Sequence, residues 1–301
     1  MTLPSPLSRL PVSVAVRRCG AGLLGLLMLA TAPAAACPPD VRPAPPLVLG
    51  QAAKIRADGR PLRILAIGSS TTAGAGASSV ATNYPSQLAL RLEAALGEGS
   101  VEITNAGVNG ESAPATLRRL ELFLKTAPVP DLVLWQVGTN DVIFGGDPVR
   151  LKQLVGAGLD AIAAAGAAAL VIDQQYYPAI LDLNRYENFV AAVGEAASEH
   201  GAPLLPRYQM MKQWAAQDPA GLRATLAWDR FHSNDKGYAC LADLLAPAIV
   251  TAVAVPAAAR HDAQAKTSSA STSSASTSSA KTSSAKTSSV KEAPTPPQAM
   301  R

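Results

Sequence analysis

A serine hydroxyl becomes a useful nucleophile when an imidazole takes its proton, and the imidazole works best when a carboxylate fixes its tautomer and stabilises its cation. The chain carries these three groups in two short stretches, Gly68-Ser69-Ser70 and Asp229-Arg230-Phe231-His232. The choice of base is narrow, because there are only three histidines. His200 ends a helical pattern before Gly201 and His261 opens a low-complexity tail, which leaves His232. A three-residue offset lets Asp229 meet the His232 ring locally while the second ring nitrogen stays free for a serine. Two further stretches, the turn 105–110 and Gly138-Thr139-Asn140-Asp141, carry backbone N–H groups and a side-chain amide. Donors of that kind stabilise the oxyanion that forms during acyl transfer.

The elements that must position these groups are legible as apolar runs alternating with amphipathic ones. Residues 62–67, 101–104, 132–137, 170–172 and 203–205 are short apolar or β-branched runs, suited to strands buried on both faces. A longer helical pattern follows each. The clearest helix has Asp147 as its N-cap, Pro148 in its first turn, a stripe of Leu151, Leu154, Val155, Leu159 and Ile162, and Gly166 as its stop. Such β-α alternation predicts a parallel sheet with helices on both faces. Ligands bind such sheets beyond the carboxyl ends of the strands. Gly68 follows the first run, Asn105 the second and Gly138 the third, and the fourth delivers Asp173-Gln174-Gln175-Tyr176-Tyr177 to the same edge.

With its four blocks in this order, the chain resembles the SGNH (GDSL-type) hydrolases over about residues 62–250. The resemblance implies a flavodoxin-like, three-layer α/β/α sandwich around a central, mostly parallel five-stranded sheet. It implies a catalytic triad of Ser70, Asp229 and His232 and an oxyanion hole made by the Ser70 N–H, the Gly110 N–H and the Asn140 amide. Gly107 competes with Gly110 for that role. Where the family's first block has an aspartate before the nucleophile, this chain has Ser69, a departure that bears on loop geometry more than on catalysis. The implied reaction is attack of Ser70 on an ester carbonyl, with His232 as base and then acid, followed by hydrolysis of the acyl-serine. No cofactor is required.

About 190 residues leave no obvious insertion for a lid. That predicts an open groove and a short acyl group, acetyl above all, on a small ester or an acylated carbohydrate, as in the family's carbohydrate acetylesterases. Gln174, Gln175, Tyr176 and Tyr177 would contact the sugar. One alternative is a lysophospholipase or thioesterase for longer chains, with Met210, Met211, Trp214 and Trp228 lining an acyl pocket rather than packing the domain edge. Another, from a different class, is a non-catalytic envelope protein that binds carbohydrate.

Composition bounds the remaining classes. The chain's net charge of +4 belongs to its ends, since residues 41–260 hold 18 Lys and Arg against 19 Asp and Glu. No basic footprint for nucleic acid is visible on the folded part. Metal-site spacing of His, Cys, Asp and Glu is absent, Gly74-Ala75-Gly76 lacks a P-loop lysine, and no Gly-x-Ser-x-Gly elbow occurs. Residues 1–36 read as a secretion signal, with Arg9, Arg17 and Arg18 ahead of the apolar run 21–30. The protein is therefore expected to be exported, as a periplasmic, secreted or envelope-anchored chain. That run is too short to be a convincing membrane span, and no later segment is expected to reach spanning length.

Residues 37–60 read as a Pro-rich linker, 61–255 as the hydrolase domain, and 256–301 as a Ser/Thr/Ala/Lys repeat that cannot bury enough apolar surface to order itself. The repeat is either a solvated linker or a cationic tether to anionic envelope polymers. Cys37 follows Ala34-Ala35-Ala36, which resembles a lipoprotein processing site without its usual leucine and makes Cys37 a candidate lipid anchor. Otherwise Cys37 could pair with Cys240 in an oxidising compartment. The reading adopted for Cys240 is a small buried helix residue without a disulfide partner.

Overall fold

The five apolar runs form five parallel strands, β1 (Leu62–Gly68), β2 (Val101–Gly107), β3 (Leu132–Gln136), β4 (Ala168–Ile172) and β5 (Leu204–Leu205), in the order β2-β1-β3-β4-β5. This computed structural model describes Cys37, residues 42–126 and residues 128–254; residues 1–36, read as a secretion signal, and the repeat tail lie outside the described residues. The helices are α1 (Ala52–Ala57), α2 (Ser70–Ala73), α3 (Tyr84–Leu96), α4 (Ala113–Thr126), α5 (Thr139–Ile143), α6 (Pro148–Ala164), α7 (Leu183–Glu199), α8 (Arg207–Gln217), α9 (Pro219–Arg223) and α10 (Asp235–Ala254).

Strand side chains alternate between faces, and this alternation divides the core in two. Ile64, Ala66, Leu132, Leu134, Leu170 and Ile172 pack with α1, α3, α8 and α10. Leu65, Ile67, Val133, Trp135 and Val171 pack with α4, α6 and α7. The result is the expected three-layer sandwich. Asp147 caps α6 by accepting the Val149 N–H, with Pro148 at the first position. The predicted stripe of α6 is buried. Gly158 lets this helix approach the sheet closely, since a Cβ there would lie 2.2 Å from the Trp135 ring.

Expectations for β2, for the linker and for Cys240 need correction. β2 is not buried on both faces, because Glu102, Thr104 and Asn105 are exposed. It is an edge strand with β1 as its single neighbour, and polar side chains on an edge discourage pairing with another chain.

Residues 42–60 are not a linker. Ala44 pairs antiparallel with Leu204 through two backbone hydrogen bonds of 3.1 and 2.9 Å, and Leu47, Leu49, Ala52 and Ile55 enter the α10-side core. Prolines at 43, 45 and 46 break the periodicity that would reveal this.

Cys240, finally, is disulfide-bonded to Cys37, 203 positions away. A sulfur so bonded cannot also carry a thioether-linked lipid. Removing the bridge, as in Cys37→Ser/Cys240→Ala, is expected to lower unfolding free energy by about 2–4 kcal/mol. Urea denaturation of oxidised wild type beside the variant measures this, and equal midpoints would count against a structural bridge.

By length and composition α10 is apolar enough to cross a membrane, with mean hydropathy 1.7, contrary to the expectation that no later segment reaches that length. Its Tyr238, Leu241, Leu245 and Ile249 are instead buried against the sheet. Each such side chain contributes roughly 1.5–3 kcal/mol when removed from water, so α10 is a core helix that anchors the loop before it.

Candidate active site

β1 ends where the backbone must turn sharply into α2. Gly68 has φ +158°, and a Cβ there would lie 2.6 Å from the Gln136 carbonyl oxygen, so β3 runs too close for a side chain. Ser69 then donates its hydroxyl to Gln136 Oε1 at 3.1 Å, and its N–H to the same oxygen at 3.3 Å. Its hydroxyl is committed to β3. Ser70, at the first position of α2, turns its Oγ toward His232 Nε2 at 2.9 Å.

The histidine sits in a loop closed on itself. The Ala227 N–H donates to the His232 carbonyl at 2.8 Å, and the Arg230 N–H to the Ala227 carbonyl at 2.9 Å. Arg230 takes the left-handed conformation, φ 56°, which lets three residues bring Asp229 back beside the ring. Asp229 Oδ1 accepts the N–H groups of Phe231 and His232, both at 3.0 Å, while Oδ2 lies 2.6 Å from His232 Nδ1. Burial acts to raise the Asp229 carboxyl, but the His232 ring and the two backbone N–H groups outweigh it and leave it below its ordinary value. An ionised carboxylate can only accept. The proton therefore sits on Nδ1, and Nε2 is free to take the proton of Ser70. Phe231 lies edge-on to the His232 ring at 4.7 Å, and Tyr177 edge-on to Phe231 at 4.9 Å, so aromatic packing holds the imidazole from one side.

The loops after β2 and β3 are tied to one another and to the turn that carries Ser70. The Asn140 amide donates to the Glu111 carbonyl at 2.8 Å. The Asp141 carboxylate accepts the Ala113 N–H with both oxygens at 3.1 Å, and burial, partly offset by that bond, raises its pKa. Glu111 is ion-paired with Arg119, which also donates to the Ala106 carbonyl at 2.8 Å. The Val108 N–H donates to the Gly68 carbonyl at 3.0 Å.

The two candidate glycines differ in whether their N–H groups are free. The Gly107 N–H is occupied by Asn105 Oδ1 at 3.0 Å. Gly110 adopts φ +77°, and among the described residues neither its N–H nor that of Ser70 has an acceptor. One Asn140 amide proton is likewise unspent. Asn140→Ala is expected to lower kcat about 10²–10³-fold with KM changed little, as for loss of one oxyanion donor. Steady-state kinetics on a short p-nitrophenyl ester tests this, and a fall below tenfold would remove Asn140 from the role.

Of the four residues expected to contact a sugar, two point inward. Gln174 is fully buried, its amide packed against Gly138. Gln175 is also buried, its Oε1 accepting from Thr139 Oγ1 at 3.1 Å and from Arg207 at 3.3 Å. Gln175 thus ties the end of β4 to Thr139 and Arg207, whereas the Gln174 amide is buried with no hydrogen-bond partner among the described residues, and neither side chain is open to a substrate. Tyr176 packs edge-on against Tyr208 at 6.0 Å, and only Tyr177 joins the aromatic wall beside His232. Met210, Met211 and Trp214 are core residues. The cavity they border measures about 20 Å³, room for about one water. Trp228 is 93 % exposed and does not border that cavity. A cavity of about 610 Å³ lies between Pro45–Val48 and His200–Pro203, where none of the site residues is found.

Sequence reasoning assigned no role to Arg207, Thr71, Ser233 or Asp141. None belongs to a catalytic residue type at a diagnostic spacing. The one available signal is a lone arginine two residues after the fifth apolar run, where a buried charge would need partners.

The model of the Non-GDSL lipase-like family matches residues 34–255. Among solved structures the chain is similar to TesA, at 22% identity and TM-score 0.53 over 62% of this chain and 97% of that one. It is similar to the lipase/acylhydrolase from Enterococcus faecalis, at 23% identity and TM-score 0.53 over 63% and 95%. A third likeness is to the psychrotrophic esterase EstA from Pseudoalteromonas sp., at 21% identity and TM-score 0.53 over 62% and 96%. These likenesses are of fold. No curated protein matches the chain.

Proposed function

We propose, for a chain that belongs to the Non-GDSL lipase-like family, that it is an exported serine hydrolase of the SGNH type acting on short-chain carboxylic esters. The observation that carries the reading is the continuous relay Ser70 Oγ to His232 Nε2 at 2.9 Å and His232 Nδ1 to Asp229 Oδ2 at 2.6 Å. In that relay His232 removes the Ser70 proton as Oγ attacks the ester carbonyl, and the ring cation is held by Asp229. The carbonyl oxygen, now negative, is received by the N–H groups of Ser70 and Gly110 and by the Asn140 amide. His232 returns its proton to the departing alcohol. Water then attacks the acyl-serine with the same histidine as base, and Ser70 is regenerated.

Export is supported by the reading of residues 1–36 as a secretion signal and by the Cys37–Cys240 disulfide, a bond that persists in oxidising compartments. A short acyl group is supported by the packing of Met210, Met211 and Trp214, which leaves no channel for a chain among them. Acetyl is the preferred group, and an acylated carbohydrate the preferred alcohol part. With Gln174 and Gln175 turned inward, the sugar would rest on aromatic faces, those of Tyr177 and of the exposed Trp228 next to Asp229 in the chain.

Burying each added methylene favours binding by about 0.8 kcal/mol only where an apolar channel receives it. Catalytic efficiency is therefore expected to peak between acetyl and butyryl p-nitrophenyl esters and to decline by octanoyl. Acetylated xylan and peptidoglycan, assayed in parallel for acetate release, test the alcohol part. A steady rise through dodecanoyl, measured below the critical micelle concentration, would replace this reading with a lysophospholipase or thioesterase.

A further inference from the structure

Arg207 is a full guanidinium placed in the core, 3 % exposed. Burial lowers its pKa, while the fields of Tyr238, Tyr186, Asp173 and Tyr84 act to raise it. A buried charge is costly unless its donors are used, and those of Arg207 reach three separate parts of the site. One terminal nitrogen donates to Thr71 Oγ1, beside the nucleophile, and to Gln175 Oε1 at the end of β4, both at 3.3 Å. The other donates to Ser233 Oγ, beside the catalytic histidine, at 3.2 Å. Thr71 and Ser233 are themselves buried. They are 162 positions apart, and Arg207 belongs to a third element, α8.

The start of α8 is in turn held by Asp173, whose Oδ1 accepts the Tyr208 N–H at 2.9 Å. Burial pushes the Asp173 carboxyl up to about 7, against the Tyr208 bond and the Arg207 charge, which lower it. The guanidinium is thereby fixed in place by its own backbone.

We propose that Arg207 is a positioning residue for the relay, a single planar fork that holds the Ser70 turn and the His232 loop at a common distance through their neighbours Thr71 and Ser233. It touches neither substrate nor the reacting atoms. Its contribution rests on the serine hydrolase reading above. Misplacing reacting groups by about 1 Å is enough to cost on the order of 10²-fold in rate, and no other side chain donates to both Thr71 and Ser233 among the described residues.

The test compares Arg207→Met, Arg207→Lys and the pair Thr71→Val/Ser233→Ala with wild type and Ser70→Ala on p-nitrophenyl acetate. The rate of covalent labelling by a p-nitrophenyl phosphonate is read beside kcat and KM. Arg207→Met is expected to lower kcat and the labelling rate together, about 10–100-fold, with KM within about threefold of wild type. Arg207→Lys, which keeps a charge but not the fork, is expected to recover part of that loss. The pair variant, which leaves the guanidinium in place, is expected to lose kcat comparably, and adding Arg207→Met to it to cost little more.

A folded Arg207→Met with kcat within twofold of wild type, or with its loss confined to KM, would overturn the proposal. If Arg207→Met does not fold, the pair variant decides: a kcat equal to wild type overturns it and a loss of tenfold or more supports it. Wild type no more active than Ser70→Ala would instead overturn the hydrolase reading, so the two failures are told apart.

Discussion

Ser70→Ala is expected to lower kcat on p-nitrophenyl acetate by about 10⁴- to 10⁶-fold, leaving the residual rate that oxyanion donors and binding supply alone. Ser69→Ala is expected to keep most of the activity. The contrast follows from two adjacent hydroxyls with different commitments. Ser70 Oγ lies 2.9 Å from His232 Nε2, whereas Ser69 Oγ donates to Gln136 Oε1 at 3.1 Å. Removing the Ser69 hydroxyl leaves its N–H still bonded to Gln136, so the turn keeps one of its two ties to β3. Steady-state kinetics with matched circular dichroism spectra provides the measurement. An inactive Ser69→Ala beside an active Ser70→Ala would move the nucleophile by one residue and displace the relay geometry.

Asp229→Asn is expected to cost about 10⁴-fold in kcat with little change in folding, because it reverses one hydrogen bond without removing the loop's other supports. The Asn oxygen still accepts the N–H groups of Phe231 and His232, now met by Asp229 Oδ1 at 3.0 Å. Its NH₂ group, placed where Oδ2 now faces Nδ1, donates instead of accepting. The ring proton is then driven to Nε2, and His232 can no longer receive the proton of Ser70. Asp229→Ala, which also removes the acceptor of both backbone groups, should lose comparable activity and in addition loosen the loop. The two variants together separate tautomer control from loop support. An Asp229→Asn enzyme within tenfold of wild type would show that the imidazole is oriented by something else, with Phe231, edge-on at 4.7 Å, the first group to test.

Much of the site was legible because each of its blocks is local. Asp229 and His232 meet across three residues, Asn140 follows a strand by a few positions, and Gly110 lies in a turn whose sequence neighbours set its shape. A property of this kind depends on backbone conformation over a handful of residues, which side-chain type controls directly. The same holds for α6, where Asp147, Pro148 and the apolar stripe specify start, register and buried face within one segment.

The misreadings share a different origin. Gln174 and Gln175 lie at the end of β4 as the sequence implies, but which way they point depends on how β4 is registered against β3 and, for Gln175, on the arrival of Thr139 and Arg207 from other elements. Cys240 and Cys37 are 203 positions apart, and residues 42–60 hide their apolar contacts among prolines.

By itself, then, the amino-acid sequence determined the alternation of strand and helix, the α/β class and the order of the four blocks, and it nominated Ser70, Asp229 and His232, since each rests on short-range pattern. Tertiary structure alone decided that β2 is a polar edge, that Gly110 rather than Gly107 keeps a free N–H, that Cys37 and Cys240 pair, and that Arg207 links the loops bearing Ser70 and His232. Those outcomes depend on groups brought together from distant parts of the chain. Whether a given N–H is spent or a given charge is paired is a property of the packed neighbourhood, and no local pattern records it.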